Sequence, residues 1–145
     1  MGRKILVAYD GSDLGEAAIE EAKLQSKVVE NSEIHIVTVV TPGITSNNTA
    51  AAGNLSMNET EKIYPELEKI KVGLEEPGLK IKTKIITDFS QKNPGVAICD
   101  YAAEAEINLI VVGNRGLSNL KVLLLGSVSN VIVQRASCQV LVIKK

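Results

Sequence analysis

Two periodicities alternate along this chain. Ile5-Leu6-Val7-Ala8-Tyr9 is a short apolar run with branched residues, the pattern of a buried strand. It stops at the turn signal Asp10-Gly11-Ser12, after which Asp13 and Glu16 have the spacing of a capping box. Leu14, Ala18, Ala22 and Val29 then fall on one helical face. Ile34 to Val40 reads as a second buried strand. Ile63, Leu67, Ile70 and Leu74 form an amphipathic helical stripe, stopped by Pro77-Gly78. Lys80-Ile81-Lys82-Thr83-Lys84-Ile85 alternates as a strand with one solvated face, its lysines suited to protecting a sheet edge. Asn93-Pro94-Gly95 opens a helix with Ile98, Ala102 and Ala105 inward. Leu109 to Val112 is a fourth strand. Ser127 to Ala136 is a last helix with Val128, Val131, Ile132 and Arg135 in register, and Val140 to Ile143 is a fifth strand.

Strands and helices alternating in this way demand a mostly parallel sheet covered on both faces, with right-handed crossovers. The fifth strand has no helix after it and no polar residue to blunt an edge. Placed at the edge of the sheet it needs a partner, and a two-fold homodimer through Val140–Ile143 supplies one; placed internally it needs none. Thr41 to Ser56, rich in Thr, Ser, Asn, Ala and Gly, reads as a mobile surface loop of the length associated with function or disorder.

Composition narrows the function classes. The 145 residues fit one domain, and 45% hydrophobic and 23% charged content is that of an ordinary soluble protein. A net charge of −1 with both signs interspersed, 3% aromatics and no Trp argue against a nucleic-acid or anionic-membrane surface. The apolar run after Arg3-Lys4 is too short for a signal peptide and no segment is long enough to span a membrane. A cytoplasmic location is therefore expected, with Cys99 and Cys138 reduced and buried. One histidine and two scattered cysteines make neither a metal site nor a nucleophilic triad, and His35, mid-strand, reads as a packed residue rather than a base.

The chemistry concentrates where Leu109-Ile110-Val111-Val112 runs into Gly113-Asn114-Arg115-Gly116 and, later, Gly126-Ser127. Glycines between a buried strand and a helix N-terminus let backbone N–H groups approach a polyanion closely. The spacing G-x2-G-x9-G-S differs from both a P-loop and a dinucleotide-binding turn. Ser127 and Ser129 offer hydroxyls that either cap the helix or meet phosphate. Arg115 and Lys121 either shield phosphate or face solvent. Asp10 either accepts from ribose hydroxyls or closes an Asx turn with Ser12.

Together these residues resemble the universal stress protein family, in its ATP-binding branch. Ile5 to Ser12 looks like the family's opening strand and acidic turn, Leu109 to Gly116 like its fourth strand and first glycine turn. Leu125-Gly126-Ser127-Val128-Ser129 completes the G-x2-G-x9-G-[ST] signature, and Cys138 to Ile143 looks like the last strand. The resemblance covers essentially the whole chain. It implies a Rossmann-like α/β fold akin to the adenine nucleotide alpha hydrolases. It implies a sheet of five parallel strands in the order 3-2-1-4-5 with helices on both faces, and a homodimer through the last strand. It implies ATP with adenine near Ala8, Asp10 and Val39, and ribose near Asp10 and Gly113. The triphosphate runs over Gly116 to Gly126, Ser127, Val128 and Ser129, with Tyr9 and Val112 completing the set and Mg2+ or Mn2+ held by the phosphates. Members that do not bind ATP generally lack the signature.

Three departures stand out. Tyr9 occupies a position usually small or proline, Gln139 replaces a usual proline, and residues 89–94 exceed the usual short turn. The function implied is an ATP-binding regulatory or stress-response protein with an unidentified protein partner and little or no hydrolysis. The alternative is a slow ATPase or nucleotidyl-transfer enzyme, which lacks an evident base: Asp10 is placed for the sugar, and Asp88 lies after the third strand, away from the phosphates. A phosphoacceptor role for Asp10 fails for want of a second acidic neighbour and a helix after the last strand.

Overall fold

The computed structural model describes residues 2–40, 57–89, 93–114 and 126–144, with only the backbone described at 57–60 and 62. The elements run β1 (Lys4–Ala8), α1 (Asp13–Ser26), β2 (Glu33–Val40), α2 (Met57–Leu74), β3 (Lys80–Thr87), α3 (Pro94–Glu104), β4 (Leu109–Gly113), α4 (Ser127–Arg135) and β5 (Gln139–Ile143). The five strands form one sheet in the order β3-β2-β1-β4-β5, and every pairing is parallel.

The alternation of side chains along each strand divides the core in two. Ile5, Val7, Ile34, Ile36, Leu109 and Val111 meet α1 and α2 through Ala18, Ile19, Ala22, Ile63 and Leu67. Leu6, Val37, Val39, Ile110 and Val112 point the other way and meet α3 and α4 through Ile98, Ala102 and Ile132. β1, β2 and β4 are mostly apolar because both of their faces are covered, with His35 and Thr38 of β2 buried as polar exceptions. β3 is different. Lys80, Lys82 and Lys84 are exposed along one face, while Ile81 is buried on the other. β5 lies at the opposite edge, with Val140 to Ile143 half-buried.

Several local expectations need correction. The cap of α1 is Ser12, whose hydroxyl accepts from the Gly15 N–H at 3.2 Å, so Asp13 lies in the first turn rather than at the cap. The buried stripe of α1 runs Gly15, Ala18, Ile19 and Ala22, and Val29 falls beyond the helix end at Ser26. In α4 Ile132 is buried and Val128 packs against the core as expected, Ser129 is buried as well, and Arg135 is exposed. Cys99 and Cys138 are half-buried free thiols rather than fully buried ones. Burial still raises both thiol pKa values, so the fraction present as reactive thiolate is lowered. The 41–56 segment, which the sequence marks as a loop, lies outside the described residues.

The heads of α3 and α4 are locked together. Asn93 caps α3 by accepting from the Gly95 N–H at 2.7 Å, and its amide Nδ2 donates to the Ser127 carbonyl at 3.3 Å. Gly95 is required by this approach, since a Cβ there would lie 2.9 Å from the Val128 carbonyl oxygen. Replacing Asn93 with Ala is expected to lower stability by about 1 kcal/mol in chemical denaturation, and Asn93→Asp, which keeps the cap acceptor, to recover most of it.

Candidate functional site

The strand order reverses between β1 and β4, because the chain steps outward from β1 through β2 to β3 and then returns to the other side. Loops leaving such a pair diverge, and a crevice opens beyond their carboxyl ends. The structure has a cleft there, partly open to solvent. Its walls are largely apolar: Ala8, Leu14, Val37, Val39, Ile98, Val112 and Val128, with Pro94 at the head of α3. Polar character enters from Asp10, Ser12 and Thr38 at the edges. An apolar lining with a few polar groups at its edges is that of a small-molecule site.

Of the residues singled out by sequence, Ala8, Tyr9, Asp10, Val39, Val112, Gly113 and Val128 all line this one cleft. Gly126, Ser127 and Ser129 stand beside it at the head of α4, outside the lining. Gly116, Arg115 and Lys121 lie outside the described residues.

Local chemistry fixes each of these positions. Asp10 Oδ1 accepts from the Ser12 N–H at 3.0 Å, the Asx turn that the sequence allowed. The buried Thr38 hydroxyl donates to the Tyr9 carbonyl at 2.8 Å and so holds the turn after β1 against β2. The Tyr9 ring belongs to the core on the α1/α2 face, and its hydroxyl donates to Glu66 Oε1 at 2.7 Å. Burial, followed by that bond and the negative charge of Glu66, drives the phenol pKa well above its ordinary 10.0. Gly15 makes room for this ring, since a Cβ there would come within 2.9 Å of Tyr9 Cδ1. Gly113 has a packing role as well: a Cβ would lie 2.7 Å from Leu14 Cβ.

At the head of α4 the cap residue is Gly126, with no side-chain cap, and the Ser129 hydroxyl donates back to the Gly126 carbonyl at 3.0 Å. The first-turn amides of this helix therefore carry a partial positive charge beside the cleft. Among the described residues no group of three or more His, Cys, Asp and Glu side chains could hold a metal ion, and no helix is long and apolar enough to cross a membrane.

A sequence model of the universal stress protein family matches residues 1–144. The chain belongs to the universal stress protein family. Universal stress protein YxiE of Bacillus subtilis is 30% identical over 99% of this chain and 100% of its own length. The structure of MJ0577, from Methanocaldococcus jannaschii, superposes with a TM-score of 0.75 at 28% identity, covering 100% of this chain and 97% of that one. Two further universal stress proteins share the fold. One, in complex with cAMP, has a TM-score of 0.71 at 24% identity and covers 99% and 97% of the two chains. The other, from Archaeoglobus fulgidus in complex with dAMP, has a TM-score of 0.72 at 19% identity and covers 99% and 98%.

Among the lining residues the sequence reading passed over Ser12, Leu14, Gly15, Val37, Thr38, Pro94 and Ile98. Thr38 carries a usable signal, a lone hydroxyl near the end of an otherwise apolar run. Gly15 carries none, because its reason is the ring of Tyr9.

His35 is remote from the cleft, in the first half of β2, and is 3% exposed. Its Nε2–H donates to Glu33 Oε2 at 3.0 Å, and its Nδ1 accepts from the Tyr101 hydroxyl at 2.7 Å. Burial lowers the His35 pKa from its ordinary 6.5, outweighing the upward pull of Glu33. Glu33 is lowered from its ordinary 4.5, mainly by the His35 hydrogen bond. The unfolded chain thus takes up protons more readily at both groups, and stability is lost as pH falls, first below about 6.5 at His35 and then below about 4.5 at Glu33. As this is the chain's one histidine, the melting temperature is expected to decline between pH 7.5 and 5.5 in the wild type. In His35→Gln it is expected to stay nearly flat over that range.

Proposed function

We propose that this chain binds ATP in the cleft at the carboxyl ends of β1, β2 and β4 and acts as a nucleotide-dependent regulatory protein with little or no hydrolysis. The observation that carries the reading is the pairing of an apolar cleft at the sheet's switch point with the uncapped head of α4 alongside it. Adenine suits the apolar walls near Ala8 and Val39. Ribose suits the rim at Asp10 and Gly113, and a carboxylate with about four acceptor positions can serve both an Asx turn and a sugar hydroxyl. The triphosphate suits Gly116, the backbone approach that Gly126 allows, and the amides of Ser127, Val128 and Ser129. Mg2+ or Mn2+ would be held by the phosphates and neutralise part of their charge. The cAMP and dAMP complexes of the two related proteins share an adenine base, a sugar and one phosphate, which supports the nucleotide class.

The decisive experiment denatures freshly purified protein, identifies released nucleotide by mass spectrometry, and then titrates Mg-ATP into stripped protein while following phosphate release. Bound ATP with negligible turnover is the expected result. Rapid turnover would instead establish the ATPase or nucleotidyl-transfer alternative. Gly126→Val is expected to weaken Mg-ATP binding at least ten-fold with the fold intact, because a branched side chain would stand in the phosphate path. Unchanged affinity in the folded variant would overturn the proposed phosphate position.

The same reading includes a homodimer through Val140–Ile143 and an unidentified protein partner. The support for the dimer is the position of β5 at an apolar sheet edge. Val142→Lys is expected to convert the protein to a monomer by sedimentation; an unchanged mass would place any self-association elsewhere.

A further inference from the structure

We propose that Asn114 is a positioning residue for the phosphate end of the nucleotide site. It would set the head of α4 against the end of β4 with a neutral acceptor. The inference rests on the nucleotide reading above and adds to it a residue that touches neither base nor sugar in that reading.

The geometry begins with the backbone. Asn114 follows the last residue of β4, and its N–H donates to the Ile143 carbonyl at 2.7 Å, extending the β4–β5 ladder by one bond. The residue is thereby tied to the sheet. From that anchor its side-chain Oδ1 accepts from the Gly126 N–H at 3.2 Å, across twelve positions of sequence.

The other two helix heads around the cleft are capped differently. Ser12 in α1 and Asn93 in α3 each use their own side chain to accept a first-turn amide. Gly126 has no side chain to do so. The acceptor is brought in from β4 and lands on the cap residue's own N–H, so the first-turn amides of Ser127, Val128 and Ser129 are not consumed by a local cap. The carbonyl side of the same turn is pinned by Asn93 Nδ2 on the Ser127 oxygen. The two asparagines therefore hold the helix head at the Gly126 N–H and at the Ser127 carbonyl, while Val128, the next residue, lines the cleft.

Side-chain chemistry explains why an amide suits this role. An Asp at 114 would accept from Gly126 equally well, yet would add a negative charge close to where phosphates are expected. An Asn supplies the acceptor without the charge.

The test compares wild type, Asn114→Ala and Asn114→Asp for Mg-ATP and for adenosine, each measured by displacement of a fluorescent ATP analogue, with thermal unfolding in parallel. Asn114→Ala is expected to lose about ten-fold in Mg-ATP affinity, the upper end of what one hydrogen bond contributes, and less than about two-fold for adenosine. Asn114→Asp is expected to melt close to the wild type and to lose at least as much Mg-ATP affinity as Asn114→Ala. Mg-ATP binding by Asn114→Ala within about two-fold of wild type would overturn the proposal. So would equal losses for ATP and adenosine, which would reduce Asn114 to a general structural role. A wild type that binds neither ligand would remove the nucleotide reading itself, a failure separable from that of Asn114.

Discussion

Everything in this molecule depends on one topological constraint: a parallel sheet whose successive crossovers are right-handed must change direction once if helices are to cover both of its faces. The change occurs at β1. Stepping outward to β2 and β3 puts α1 and α2 on one side, and returning to β4 and β5 puts α3 and α4 on the other. The neighbouring strands β1 and β4 are followed by helices on opposite faces, so among the described residues a cleft opens beyond their carboxyl ends. The cleft is a by-product of covering the sheet, and its apolar lining is shared between the strands that build the core and the first turns of the helices that cover it.

The helix heads then give the cleft its polar rim. Each of α1, α3 and α4 begins beside it, and the head of α4 is held differently from the other two. Ser12 and Asn93 cap their own helices, whereas α4 takes its acceptor from Asn114 on the sheet. Close approach makes this compactness possible. Gly95 and Gly113 sit where a methyl group would strike a neighbouring carbonyl or Leu14. The same two contacts bring the α3 and α4 heads together and hold α1 near the end of β4.

Much of this was legible in the sequence, because apolar runs bounded by turn residues mark strands reliably when both faces are buried. The alternating lysines suited β3 to a sheet edge, where it lies. Strand order was not readable from periodicity; it came with the family resemblance carried by Gly113, Gly116 and Gly126. Finer details failed for physical reasons. Asp10, Ser12 and Asp13 are all good cap formers, so spacing alone could not choose Ser12. Val29 fits the helical period of α1, yet the helix has already ended at Ser26, since period says nothing about termination. Leu14, Gly15 and Thr38 reach the cleft through contacts with residues distant in the chain. The glycine at 113 was read for its backbone freedom near a ligand, and the structure adds a reason in packing against Leu14 that no local pattern could reveal.

The two edges of the sheet differ in a way that bears on how many copies can join. β3 presents exposed Lys80, Lys82 and Lys84, two of them leaning toward Glu33. β5 presents an apolar row. A head-to-tail contact of β5 against β3 would leave an unused β5 at one end and β3 at the other, and so could propagate into a filament. Lysine charge opposes that route. A contact of β5 with its own copy is self-complementary and consumes both apolar edges at once. In the proposed dimer the three lysines would act as a chain terminator, leaving closed assembly through one edge and opposing open-ended polymerisation through the other.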